Sequence, residues 1–192
     1  MAHDYEVLAT RTAYEGARAS VRVDEVAMPD GKTASREVVV VDDAVAIVAL
    51  DDRRRVCLLE QYRHPLGRRL LELPAGKIDV EGESPLQTAR RELREEAGLT
   101  SERWSALGSF DNSAGWTTER THVLLAEDVL AAQEGEDGEG DGGFVAEHEE
   151  ADMQMSTIPL DVALEMVDAG EITDAKTLVG LLLATRRLSA GG

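Results

Sequence analysis

Gly76-Lys77-Ile78-Asp79-Val80-Glu81-Gly82-Glu83-Ser84-Pro85-Leu86-Gln87-Thr88-Ala89-Arg90-Arg91-Glu92-Leu93-Arg94-Glu95-Glu96-Ala97-Gly98-Leu99 is the stretch on which the reading of the chain turns. Leu86, Ala89, Leu93 and Ala97 recur at helical spacing while Arg and Glu fill the other positions, the pattern of an amphipathic helix. Ser84 with Gln87 offers a capping box, Pro85 fits the first helical position, and Gly98 sits where a left-handed C-terminal residue is wanted. The spacing predicts a helix over Pro85 to Ala97.

Residues three and four apart share a helix face, so Glu92, Glu95 and Glu96 project together, with Glu83 just ahead of the first turn. Like charges at this spacing repel by a few tenths of a kcal/mol per pair, and something must offset that. Two readings fit: interleaved arginines on a solvated face, or a hard divalent cation taking oxygen ligands. Gly76 follows Leu73-Pro74-Ala75, a strand end turning sharply, which sets backbone carbonyls beside the first helical turn.

Before this stretch the chain reads as mostly β, with β-branched runs at Ala19 to Met28 and Ser35 to Val41 flanking the turn Pro29-Asp30-Gly31. Two apolar strands follow, Asp43 to Leu50 and Val56 to Tyr62, around the charged turn Asp51 to Arg55. After it come strands at Trp104 to Phe110, Thr118 to Leu125 and Met153 to Ile158, then helices at Leu160 to Asp168 and Asp174 to Leu188. Between them, the Gly/Glu/Asp-rich Ala131 to Gly143 lacks the apolar content to order itself, and a mobile acidic loop is expected over 131–147.

The chain has 192 residues, 43% of them hydrophobic and 30% charged, which fits one globular domain or two very small ones. Lys plus Arg number 20 against 38 Asp plus Glu, a net charge of −18. That balance argues against binding nucleic acid or an anionic membrane, and a polyanionic substrate would need screening cations. Nine of the acids lie between Glu134 and Asp152, where there is no Lys or Arg. The single cysteine, Cys57, sits in an apolar run and reads as a buried structural thiol. With no basic-then-apolar leader and no stretch of roughly 18 apolar residues, a cytoplasmic location is expected.

The central stretch resembles the box of the Nudix hydrolases, Gly-x5-Glu-x7-Arg-Glu-U-x-Glu-Glu-x-Gly-U, where U is a bulky aliphatic residue. From Glu83 onward the register is complete through Arg91-Glu92-Leu93, Glu95-Glu96 and Gly98-Leu99; at the front, six residues rather than five separate Gly76 from Glu83. The resemblance implies an α/β fold, the Nudix α/β/α sandwich with a mixed sheet, and a metal-dependent pyrophosphatase acting on a nucleoside diphosphate linked to another moiety. It further implies Mg2+ or Mn2+ held by Glu92, Glu95 and Glu96, with Arg91 orienting the glutamates and Gly76, Glu83 and Gly98 structural. Such a cation would neutralise the diphosphate and polarise phosphorus and water for in-line attack.

Within that family the chain is most similar to the ADP-ribose pyrophosphatases, through Gln61-Tyr62-Arg63-His64-Pro65, Leu71-Glu72-Leu73-Pro74-Ala75-Gly76 and the β-rich N-terminal third. The similarity implies a homodimer built through a β-rich extension, residues 1–42, ahead of a catalytic domain over 43–192. It implies Arg63, Glu72 and Glu119 facing the substrate, the Ala75 carbonyl as a further metal ligand, and a general base from the acidic loop, Glu149 or Glu147. The expected reaction is Mg2+-dependent hydrolysis of ADP-ribose to AMP and ribose 5-phosphate. Ala114 stands sixteen residues beyond Gly98, where these enzymes often carry proline. Two alternatives therefore stay open: a Nudix enzyme for another nucleoside diphosphate sugar or a dinucleotide, and a member that binds nucleotides without cleaving them.

Other features carry less. Asp137 to Gly142 resembles the start of a calcium-binding EF-hand loop, but the twelfth position is His148 where a bidentate Glu is required. His64 and His122 have no second histidine or cysteine at ligand spacing. Trp116, between two strands, suits either a purine or the underside of its own loop.

Overall fold

The structure, a computed structural model, describes residues 4–132 and 152–190. In chain order the strands are β1 (Val7–Glu15), β2 (Ser20–Ala27), β3 (Thr33–Val40), β4 (Ala44–Ala49), β5 (Arg55–Arg63), β6 (Arg68–Glu72) and β7 (Ala75–Lys77). Helix α1 (Pro85–Ala97) follows, then β8 (Leu99–Thr100), β9 (Arg103–Asp111), β10 (Arg120–Glu127), β11 (Leu130–Ala131), β12 (Gln154–Pro159), α2 (Leu160–Asp168) and α3 (Ala175–Ala190). The chain divides into two compact units, Met1–Asp43 with Phe110–Arg120, and Ala44–Ser109 with Thr121–Gly192.

The first unit is an antiparallel sheet in the order β1-β2-β3. The expected turn at Pro29-Asp30-Gly31 forms, with Gly31 at φ 78° and the Met28 amide donating to the Lys32 carbonyl at 2.8 Å. A side chain at that φ would be strained, which is why glycine serves. Every residue of β1 is exposed. The segment 110–120, which the sequence reading assigns with 43–192, joins this unit because the Val39 amide donates to Trp116 O and the Thr118 amide to Val39 O, at 2.9 and 3.0 Å.

The second unit centres on β4, Ala-Val-Ala-Ile-Val-Ala, in a mixed sheet of order β7-β4-β10-β9. β4 runs parallel to β10 and antiparallel to β7. All six residues of β4 are buried, as an unbroken apolar run in a strand covered on both faces should be. Val45, Ile47 and Ala49 pack with Ala89 and Leu93 of α1 on one face. On the other, Gly180 of α3 lies so close that an added Cβ would meet Leu73 Cδ1 at 2.5 Å and Val48 Cγ2 at 3.2 Å. Helices on both faces of a mixed sheet are the α/β/α arrangement expected. A second sheet, β12-β5-β6, is antiparallel throughout.

Helices α1 and α2 have the limits read from the sequence. Ala131, expected as the start of the acidic loop, instead pairs with Leu99 in β11–β8. The rest of that loop, with the EF-hand-like run, lies outside the described residues save Ala132, whose amide donates to Gly98 O at 2.8 Å.

Candidate functional site

Two neighbouring segments build the site: the turn from β6 into β7, residues 72–77, and one face of α1. The helix begins on the predicted capping box, with the Gln87 amide donating to Ser84 Oγ at 3.4 Å and the Ser84 amide to Gln87 Oε1 at 2.9 Å. It ends at Gly98, φ 61°, whose amide donates to Arg94 O at 2.9 Å. These caps fix where the helix starts and stops, and so which residues fall on its carboxylate face.

Arg91 is the hub of that face. Its Nη1 donates to Glu92 Oε1 at 2.8 Å and to Glu95 Oε2 at 3.0 Å, and its Nε and Nη2 reach the two oxygens of Glu83 at 3.4 Å each. Asp79 Oδ1 is 3.6 Å from Nη2. Thr88 also donates to Glu83, at 2.9 Å. Burial opposes the charge of this guanidinium, but Glu92, Glu83 and Glu95 outweigh it and hold the group protonated. One guanidinium therefore serves four carboxylates, the arginine pairing expected as one answer to the repulsion.

Glu92 carries the strain of that excess. Its carboxyl is raised to about 7: burial pushes it up most, Arg91 pulls it down, and Glu95 and Asp79 push it up again. Gly76 allows the side chain its place: a Cβ there would lie 1.9 Å from Glu92 Cδ and 2.1 Å from Oε1. The glycine is required for close approach, since its φ is not among the positive values. Glu96 belongs to the same turn, accepting the Ala75 amide at 2.8 Å. Ala75 itself is held in β7 opposite Ala46.

This donor set fits a hard divalent cation, because its side-chain oxygens are all carboxylates and one of them is buried beyond what Arg91 neutralises. Among the described residues, no three carboxylate, His or Cys side chains already converge on one point. The reason is local: Arg91 draws Glu92 and Glu95, while the Ala75 amide draws Glu96. A concavity of about 450 Å³ flanks the helix, with Arg91, Glu95 and Trp104 in its lining.

The predicted pair Arg63 and Glu72 also meets. Arg63 Nε and Nη2 each donate to one oxygen of Glu72 at 2.7 Å, a bidentate fork on a carboxylate with no solvent exposure. Sequence reasoning missed what lies behind it. Lys176 Nζ is 3.4 Å from Glu72 Oε2 and 2.8 Å from Asp174 Oδ1. The signal available was Asp174 three residues ahead of Thr177 at a helix start, and it pointed only to a cap. Gln61 likewise takes a place beyond what the sequence indicates. It is buried on the same face of β5 as Arg63, since Leu59 pairs Glu72 and Gln61 pairs Leu70, and its Nε2 has no partner among the described residues.

The remaining expectations fall elsewhere. Glu119 belongs to the first unit, where Asn112 Nδ2 donates to its carboxylate and the Asn112 amide to its carbonyl. Trp116 is 54% exposed. Cys57 is buried as expected, and burial, aided by the charge of Glu96, pushes its thiol up to about 12. Glu147 and Glu149 lie outside the described residues.

Known proteins match both the N-terminal part of the chain and the part that carries the site. A NUDIX domain matches residues 41–176, and a nucleoside diphosphate sugar hydrolase N-terminal domain matches residues 5–39. The chain is 43% identical over 180 residues to an ADP-ribose pyrophosphatase of Mycobacterium tuberculosis, across 94% of this chain and 83% of that one. An ADP-ribose pyrophosphatase of Bacillus subtilis is 34% identical over 172 residues, across 90% and 88%. A crystal structure described as an ADP compounds hydrolase superposes with a TM-score of 0.81 at 20% identity, covering 99% of this chain and 97% of its own. By a family match over most of its length and relatives of this identity, the chain belongs to the NUDIX domain family.

Proposed function

We propose that this protein hydrolyses the diphosphate bond of ADP-ribose, giving AMP and ribose 5-phosphate in a reaction dependent on Mg2+ or Mn2+. The observation that carries the reading is the carboxylate face of α1, where Glu92 is seated on Gly76 and one guanidinium, Arg91, is shared by four acids. In this reading Glu92, Glu95, Glu96 and the Ala75 carbonyl hold the metal. When bound, the ion neutralises the diphosphate and polarises phosphorus and water.

The chain's own residues then divide the work. Arg91 keeps Glu92 and Glu95 aligned, and Glu83 with Thr88 keeps Arg91 in place. Arg63, with its Nη1 edge not engaged by Glu72, donates to a substrate oxygen, and Glu119 is a further substrate-binding residue of this reading. Glu149 or Glu147 takes the proton from the attacking water. The exposed β1, with Val7, Leu8 and Tyr14 at its surface and Tyr5 ahead of it, supports a homodimer through residues 1–42. A free buried thiol fits a cytoplasmic location, and no helix among the described residues is long and apolar enough to cross a membrane.

The test is product analysis by mass spectrometry after incubation with Mg2+ and an equimolar mixture of ADP-ribose, other ADP- and GDP-sugars, NADH and diadenosine polyphosphates. Preferential loss of ADP-ribose with equal AMP and ribose 5-phosphate is expected. Preferential loss of a different compound would move the substrate, and no loss of any would overturn the catalytic reading. Sedimentation of the intact chain tests the dimer.

A further inference from the structure

The pair Arg63–Glu72 is one half of a buried network whose other half is the first turn of α3. Glu72 Oε2 lies between Arg63 Nη2 at 2.7 Å and Lys176 Nζ at 3.4 Å. Lys176 reaches on to Asp174 Oδ1 at 2.8 Å. Asp174 Oδ2 in turn accepts the Thr177 amide at 2.9 Å and the Thr177 hydroxyl at 2.8 Å. The same Thr177 hydroxyl accepts the amide of Leu73, next to Glu72, at 2.9 Å. Two routes, one ionic and one through the backbone, thus tie the end of β6 to α3.

The charges make this more than a scaffold contact. Two cations face two carboxylates here, so the fully buried Glu72 lies between two groups of opposite charge. The side chains of Lys176 and Asp174 are 19% and 11% exposed, whereas that of Arg63 is 39% exposed. Glu72 is fully buried, Lys176 and Asp174 are partly covered, and Arg63 is the most exposed of the four. Arg63 spends Nε and Nη2 on Glu72, and Nη1 is left to meet a ligand. A guanidinium fixed by a bidentate carboxylate has its free edge fixed as well.

We infer that Lys176 and Asp174 are positioning residues for substrate recognition: through Glu72 they hold Arg63 in the orientation that receives the diphosphate substrate. The inference rests on the proposed role of Arg63, so the experiment separates the two. KM and kcat for ADP-ribose with Mg2+ are measured for Arg63→Ala, Lys176→Met, Lys176→Arg, Glu72→Gln and Lys176→Met/Glu72→Gln, each checked for fold by circular dichroism and melting.

Arg63→Ala raises KM at least tenfold, the loss of one charged hydrogen bond. Lys176→Met raises KM about fivefold with kcat within about twofold of wild type, and Lys176→Arg restores most of it. In the Glu72→Gln background, Lys176→Met adds nothing further, because its effect passes through that carboxylate. Should Lys176→Met fail to fold, Asp174→Asn, which keeps an acceptor for the helix cap, is expected to raise KM in the same way. An unchanged KM in Arg63→Ala overturns the role of Arg63 and the inference with it. A raised KM in Arg63→Ala with none in a folded Lys176 or Asp174 variant overturns the inference alone. So does a Lys176→Met effect undiminished beside Glu72→Gln, which would mean direct contact with substrate.

Discussion

The α1 face and the β6–α3 network are both clusters of charge around an arginine, and they are built to opposite balances. At Arg91 one cation faces Asp79, Glu83, Glu92 and Glu95; at Arg63 two cations face two carboxylates. A balanced cluster satisfies itself in the absence of anything else and serves to hold side chains still. An unbalanced one stores repulsion that a bound cation relieves; at Glu92, whose carboxyl is raised chiefly by burial, Glu95 and Asp79 push it further in the same direction. Mutations should therefore separate function from stability at the first and couple them at the second.

The contrast breaks most sharply at Glu95 and Glu96. Glu95→Gln or Glu96→Gln is expected to lower Mg2+-dependent turnover by about a hundredfold or more while leaving the melting temperature unchanged or raised, since removing one of several crowded carboxylates relieves repulsion. Unchanged turnover would remove the metal assignment. Next comes Gly76→Ala, whose new Cβ would occupy the position of the Glu92 carboxylate. Turnover should fall by about tenfold or more, and Mn2+ titration followed by electron paramagnetic resonance should show weakened binding. Binding and turnover equal to wild type would mean that Glu92 relocates without consequence.

At the balanced cluster the sign on stability reverses. Glu72→Gln leaves Arg63 and Lys176 without their shared counter-charge and should destabilise by about 2 kcal/mol in urea, the figure reduced because Arg63 is partly exposed. A neutral result there, beside a destabilised Glu95→Gln, would invert the comparison.

Asp174 gives a pH signature. Burial raises its carboxyl, but the ammonium and hydrogen bond of Lys176 and the bonds from Thr177 outweigh it and hold the group below its ordinary 3.8. A carboxyl lowered on folding contributes stability that is fully present above its unfolded value and is lost as pH falls through the folded one. The stability gap between wild type and Asp174→Asn should be constant from about pH 7 to 5 and should narrow below about pH 4. A gap independent of pH would show that the charge of Asp174 is not what stabilises the network. The smallest effect is local: Ser84→Ala, removing the cap of α1, should cost about 1 kcal/mol in urea unfolding, and no cost would mean that packing alone sets the helix start.

Sequence by itself determined the parts whose causes are local. Helix α1 begins at Ser84-Pro85 and ends before Gly98 because caps act within a turn, and Glu92, Glu95 and Glu96 share its face because 3.6 residues make a turn. β4 was legible because a strand covered on both faces must be apolar throughout. Only the tertiary structure decided the rest, since charge pairing across more than a hundred residues leaves no spacing to read. Lys176 meets Glu72 because α3 packs on the β4 sheet over Gly180, a contact made by shape and burial. The four acids on Arg91 became visible the same way: Asp79 and Glu83 precede the helix, and only the folded turn brings them to one guanidinium.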